Sequence, residues 1–237
     1  MMRESHVKSI LRRGALAAFA ATFLTGCSGE SPLPAPGSPL EPAGAPEARA
    51  EAAQYTSAAV ATHPSQGAVT TIPGAVATLV SSDNGAHVTL RTSDLAAGHP
   101  HTVWFVAINR PDQCLTSPCT SSDILVRTAA VEAEVVYLTG SVVGNNGKAG
   151  FAGSVRTGDV PNGWYGTGFS NPGGAEIHLI LMDHGPASPG LVDNQISTLR
   201  GGCDASSLPG LFPPAAFADG IPGPNMCRMV QFAVLSQ

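Results

Sequence analysis

The run Thr102-Val103-Trp104-Phe105-Val106-Ala107-Ile108 decides the fold. After its first residue every side chain is apolar. It is shorter than the ten or so residues of a usual buried helix and rich in β-branched and aromatic residues, so it predicts a central strand covered on both faces. Upstream, His87-Val88-Thr89-Leu90-Arg91-Thr92 alternates instead, with Val88 and Leu90 between polar neighbours, the pattern of a strand with one face in a core. Outward from these two, Val, Thr and Ile recur in short runs punctuated by Gly, Pro, Asn and Asp. The same reading predicts strands over 75–80, 124–130, 134–143, 149–156, 175–182, 195–199 and 228–235. Val142-Val143-Gly144-Asn145-Asn146-Gly147-Lys148-Ala149 predicts a hairpin, because Asn146-Gly147 tolerates positive φ. No stretch carries a sustained helical stripe. About nine short strands joined by turns predict an all-β domain, a two-sheet sandwich of immunoglobulin-like or jelly-roll kind.

That domain occupies residues 55–237. Before it, residues 27–54 are rich in Pro and Ala with no apolar periodicity, which predicts a semi-extended tether. Residues 1–26 read as an export signal: Arg3, Lys8, Arg12 and Arg13 precede the apolar run from Ala15 to Leu24, too short to span a bilayer with ease. The run ends in Leu24-Thr25-Gly26-Cys27, which resembles the lipobox of bacterial lipoproteins. The resemblance implies diacylglycerol on the Cys27 thiol, cleavage after Gly26 and a membrane partner reached through the lipid. Ser28, in place of an aspartate, points to the outer membrane in a Gram-negative envelope.

Setting Cys27 aside leaves Cys114, Cys119, Cys203 and Cys227, an even set that predicts two disulfides in an oxidising compartment. Three pairings exist, and Cys114–Cys119 with Cys203–Cys227 is favoured because the first pair brackets a short Pro-containing loop. A four-thiolate zinc site is the alternative, but its C-x-x-C spacing is missing. Loss of the leader removes four of the 12 basic residues and one of the 17 acids, leaving Lys148 as the sole lysine. Such an acidic chain argues against nucleic acid and against polybasic attachment to anionic lipid.

The histidines carry the strongest chemical lead. In Gly98-His99-Pro100-His101 two rings lie two residues apart, and Glu176-Ile177-His178-Leu179-Ile180-Leu181-Met182-Asp183-His184 opens into a Gly/Pro loop. Brought together, His99, His101, His178 and His184, with Asp183 or Glu176 as ligand or as a partner orienting a ligand, suit zinc or copper. The alternative is that these rings simply satisfy strand-end carbonyls. The His-x-His element is superficially similar to copper/zinc superoxide dismutases, whose fuller pattern is absent, and Cys227-Arg228-Met229 lacks the histidine of blue-copper proteins. Trp164-Tyr165 in a Gly-rich loop suit stacking on a sugar or folding back over the domain. Glu132 and Glu134 read as a solvated strand face, and no Gly-x-Ser-x-Gly elbow occurs.

Through Gly98-His99, Thr102-Val103-Trp104, Asp183-His184-Gly185-Pro186 and Gly201-Gly202-Cys203 the domain resembles exported bacterial β-domains to which no activity is assigned. The expectation is a non-enzymatic binding or structural module displayed at the envelope, its ligand a protein, glycan or small molecule. A zinc or copper protein and a glycan binder are the rivals.

Overall fold

The computed structural model describes residues 53–158, 164, 166 and 168–237. The leader, Cys27, the tether up to residue 52, and Tyr165 lie outside the described residues. The strands are β1 (Gln54–Thr62), β2 (Thr71–Ser82), β3 (Gly85–Thr92), β4 (Pro100–Ile108), β5 (Ala133–Val142), β6 (Ala149–Arg156), β7 (Glu176–Asp183) and β8 (Arg228–Leu235). The fold is all-β. The order is β5-β4-β7-β8-β1-β2-β3-β6, with every neighbouring pair antiparallel.

Two expectations need correcting. The strands form one continuous eight-stranded sheet rather than two, because β1 bridges its halves: it pairs with β2 along most of its length and reaches β8 only at Ala61 and Thr62. The sheet curls nearly into a barrel, so that Leu79, Val88 and Leu90 of one half share a core with Phe105, Leu179 and Leu181 of the other. At the outer edges β5 and β6 approach closely, and a Cβ on Gly153 would lie 2.7 Å from the Leu138 side chain. The count of nine also changes. Residues 124–130 are helical, in α1 (Ser121–Val126) and α2 (Thr128–Val131). Asp123 Oδ2 accepts the Thr120 backbone N–H at 3.0 Å and its hydroxyl at 3.2 Å, and Oδ1 accepts Arg127 Nη1–H at 3.0 Å. These bonds stabilise a helical start that overrides the β-branched composition. Residues 195–199 instead leave the end of α3 (Val192–Gln195) through a turn.

Polar ties join the two halves of the sheet. Thr92 donates to Gln231 Oε1 at 2.6 Å and Gln231 Nε2 donates to the Ser93 carbonyl at 2.8 Å. Elsewhere Ser81 donates to Gln237 Oε1 at 2.8 Å. The segment after β5 turns at Gly147, at φ 64° with its N–H bonded to the Gly144 carbonyl, but it is not the expected hairpin: β5 pairs with β4 and β6 with β3, so the turn links the two outer strands of the sheet order.

The apolar character of both faces of β4 is explained by a second core. Val103, Phe105 and Ala107 point into the curled sheet, whereas Trp104, Val106 and Ile108 face an outer layer built from the irregular segments 110–131 and 184–227. Short segments without a ladder of their own need other fastening. The disulfides Cys114–Cys119 and Cys203–Cys227 supply it, with Cys119, Cys203 and Cys227 buried in that second core. Gly140 in β5 lets the outer layer approach, since any Cβ there would run into the Ile196 carbonyl.

Candidate functional site

The second core is incompletely filled. Between the sheet and its outer layer lies a cavity of about 270 Å³. Trp104 and Val106 of β4, Val135 of β5 and Ile180 and Met182 of β7 form its floor, because alternate residues of paired strands share a face. Ile124 and Leu125 of α1 make one wall; Trp164, Leu199, Leu211 and Phe212 make the other. Among the described residues, His63, Ser65 and Ser121 contribute the polar groups and no charged side chain lines the space.

Aromatic rings shape it. Trp104 and Trp164 lie with centroids 4.4 Å apart and planes tilted by 38°, and Phe212 packs 5.6 Å from Trp164. Tyr137 meets the edge of Trp104 at 5.9 Å, its hydroxyl donating to the Ile196 carbonyl at 2.8 Å. Both indole N–H groups are spent on the protein: Trp104 donates to Thr102 Oγ1 at 2.9 Å and Trp164 to Asp219 Oδ2 at 3.4 Å. The rings therefore present mainly carbon to the cavity. At the mouth, the Ser65 backbone N–H donates to His63 Nδ1 at 3.2 Å, fixing the ring as the cap of a 3-10 turn at Pro64–Gln66. Burial pushes the His63 pKa down, and the neighbouring His178 adds to that.

The histidines expected to cluster are divided among three settings. His99 donates from Nδ1 to Asp183 Oδ1 at 2.9 Å, and the same oxygen accepts the Gly185 N–H at 2.8 Å. His101, opposite Asp183 across the β4/β7 ladder and fully buried, donates from Nδ1 to the His99 carbonyl at 3.1 Å. Its Nε2 is buried with no hydrogen-bond partner among the described residues. Burial lowers the His101 pKa, outweighing the upward pull of Asp183 and of the His99 carbonyl.

His184 faces the outer layer. Its Nδ1–H donates to the Gly201 carbonyl at 2.9 Å, and Nε2 accepts the Thr102 hydroxyl at 2.8 Å, so that Trp104, Thr102 and His184 form one buried chain. Burial pushes its pKa down to about 4. His178 stands five residues away from Asp183 along β7, where Nε2–H donates to Glu176 Oε1 at 2.7 Å. Burial raises the Glu176 pKa, but the His178 hydrogen bond and the Cys119 N–H at 2.8 Å outweigh it and the net shift is downward.

His99 and Asp183 thus meet and His101 joins their end of the strand pair, while His178 does not. Among the described residues the group of three whose potential ligand atoms lie within 4.8 Å of one another is His184, Cys203 and Cys227, in which both sulfurs are held in a disulfide. Trp164 folds onto Trp104, which the sequence placed separately. Glu134 is buried rather than solvated, and its Oε2 accepts the Gly168 N–H at 3.0 Å. The cavity itself was missed. Its lining comes from positions as distant as His63, Trp104, Trp164 and Phe212, and the one local signal was the excess of apolar residues on the second face of β4.

No protein-family model, no curated protein and no solved structure matches the chain.

Proposed function

We propose that this chain is an envelope-anchored lipoprotein whose β domain is a non-enzymatic binding module, with its ligand seated in the apolar cavity between sheet and outer layer. The cavity carries the reading: a well-packed interior leaves few voids larger than a water molecule, so an aromatic-walled space of about 270 Å³ calls for an occupant. The lipobox ending at Cys27, the tether and the disulfides support an exported setting. In this reading the halves of the curled sheet act as the faces of a sandwich joined at the β1/β8 seam, and the anchor sits in the outer membrane.

1-Naphthylamine, a neutral fluorescent probe no larger than a substituted naphthalene, tests the module. Its fluorescence is expected to rise on binding, and to weaken at least tenfold with Val106→Phe, which fills the cavity floor. No rise with the native chain rejects the reading. The anchor is tested by detergent phase partition: Cys27→Ala moves the protein from the detergent phase to the aqueous phase, and an unchanged partition rejects it.

A zinc or copper protein is the second reading, favoured by one observation. His99 and His101 both commit Nδ1–H to an oxygen, which leaves Nε2 of each as a lone-pair donor, and that of His101 is buried without a partner. Elemental analysis of untagged protein decides it: absence of stoichiometric metal, with no melting shift on adding zinc or copper, removes this reading.

A further inference from the structure

We infer that the cavity selects a neutral, compact ring molecule carrying one acceptor oxygen, of the size of a bicyclic ketone or alcohol. This rests on the binding reading above and adds the chemical class. Size comes first. An apolar cavity of about 150 Å³ holds benzene, so 270 Å³ suits a molecule of about ten non-hydrogen atoms.

Charge comes second. Val106, Val135, Ile180 and Met182 offer no nitrogen or oxygen on their side chains, and among the described residues no charged side chain lines the space. An ion seated there loses its water without gaining a counter-charge, which excludes carboxylates, sulfonates and ammonium groups.

The oxygen comes third. Ser65 N–H donates to His63 Nδ1 at 3.2 Å; with the Met229 carbonyl already accepting Gln66 Nε2–H at 2.9 Å, the Ser65 hydroxyl is free to donate to the same nitrogen at 2.8 Å, an assignment that puts the lone pair on Nδ1 and the proton of the neutral ring on Nε2. Nε2–H makes no hydrogen bond with any described residue, although His63 lines the cavity. Both indole N–H groups are already satisfied, so His63 supplies a donor at the mouth to a ligand that is otherwise apolar. A carbonyl or hydroxyl oxygen matches it.

The test compares three ligands of one skeleton: camphor, bornane, which lacks the oxygen, and camphor-10-sulfonate, which adds a charge. The full chain is held in lipid nanodiscs, with empty nanodiscs subtracted. Both tryptophans of the chain line the cavity, so intrinsic fluorescence reports occupancy directly. Camphor is expected to shift the emission saturably, bornane to bind at least tenfold more weakly, and the sulfonate to give no shift. His63→Phe should bring camphor down to the affinity of bornane and leave bornane unchanged. Val106→Phe should abolish both; Leu125→Trp, on the half-buried wall, takes its place if Val106→Phe does not fold.

Equal affinity for camphor and bornane, or binding of the sulfonate, overturns the ligand class. The binding module survives that result if the filling variant still abolishes binding. Binding unchanged in a folded filling variant puts the ligand elsewhere and overturns both. No shift with any of the three overturns this inference alone, provided that 1-naphthylamine still binds.

Discussion

His184 shows what a buried polar residue does when every atom has a partner. Replacing it by leucine strands the Gly201 carbonyl and the Thr102 hydroxyl in the second core, and is expected to cost about 2–4 kcal/mol, read as a lower urea midpoint. Acid should act on the same residue. With the folded pKa held at about 4 against an ordinary 6.5, the unfolded chain binds the proton first as pH falls. Stability is therefore full above 6.5 and is lost through the window down to about 4, by at most about 3 kcal/mol from this ring. Burial pushes His101 and His63 the same way. Urea midpoints that stay level between pH 7 and pH 4.5 would show that these rings already accept protons in the folded protein. Sequence spacing singled out His99 and Asp183 without pairing them; they meet because His99 precedes β4 and Asp183 ends β7, the strand beside it. Nor did spacing separate His184 from His101, since strand register alone decides which layer each ring enters.

At the scale of elements, local composition misleads in both directions. Ile124 and Val126 carry strand propensity, yet the bonds around Asp123 hold their segment helical; Asp123→Ala should lower stability by about 1–2 kcal/mol, measurable as a fall in Tm. β1 escaped notice for the opposite reason. Its Gln-Tyr-Thr-Ser-Ala-Ala-Val-Ala-Thr contains one large fully buried side chain, Val60, and the strand is held by ladder bonds to neighbours on both sides. The outer layer depends instead on covalent fastening. In the chain-entropy account, removing Cys203–Cys227 costs about 3–4 kcal/mol and removing Cys114–Cys119 about 2 kcal/mol. The double variants Cys203→Ser/Cys227→Ser and Cys114→Ser/Cys119→Ser should rank in that order by Tm, and the reverse order would show that native-state strain or denatured-state structure dominates.

For the whole domain, the all-β class was legible because both kinds of strand pattern, alternating and wholly apolar, occur in full. The single continuous sheet was not, because closure depends on the short β1/β8 seam rather than on any local signal. The polar ties between the halves should matter accordingly: Gln231→Leu leaves the Thr92 hydroxyl and the Ser93 carbonyl without their partner and is expected to cost about 1–3 kcal/mol by urea titration. The seam also sets an order of events. Residue 61 waits for residue 232, so the first strand of the domain gains its second neighbour only when nearly the whole chain is available. Loop closure over that span is slow, and β4, β5 and the β2/β3 hairpin can pair long before it. Under the proposal of an exported, lipid-anchored chain, the strand that follows the tether would therefore lock last, keeping the domain open until export is complete.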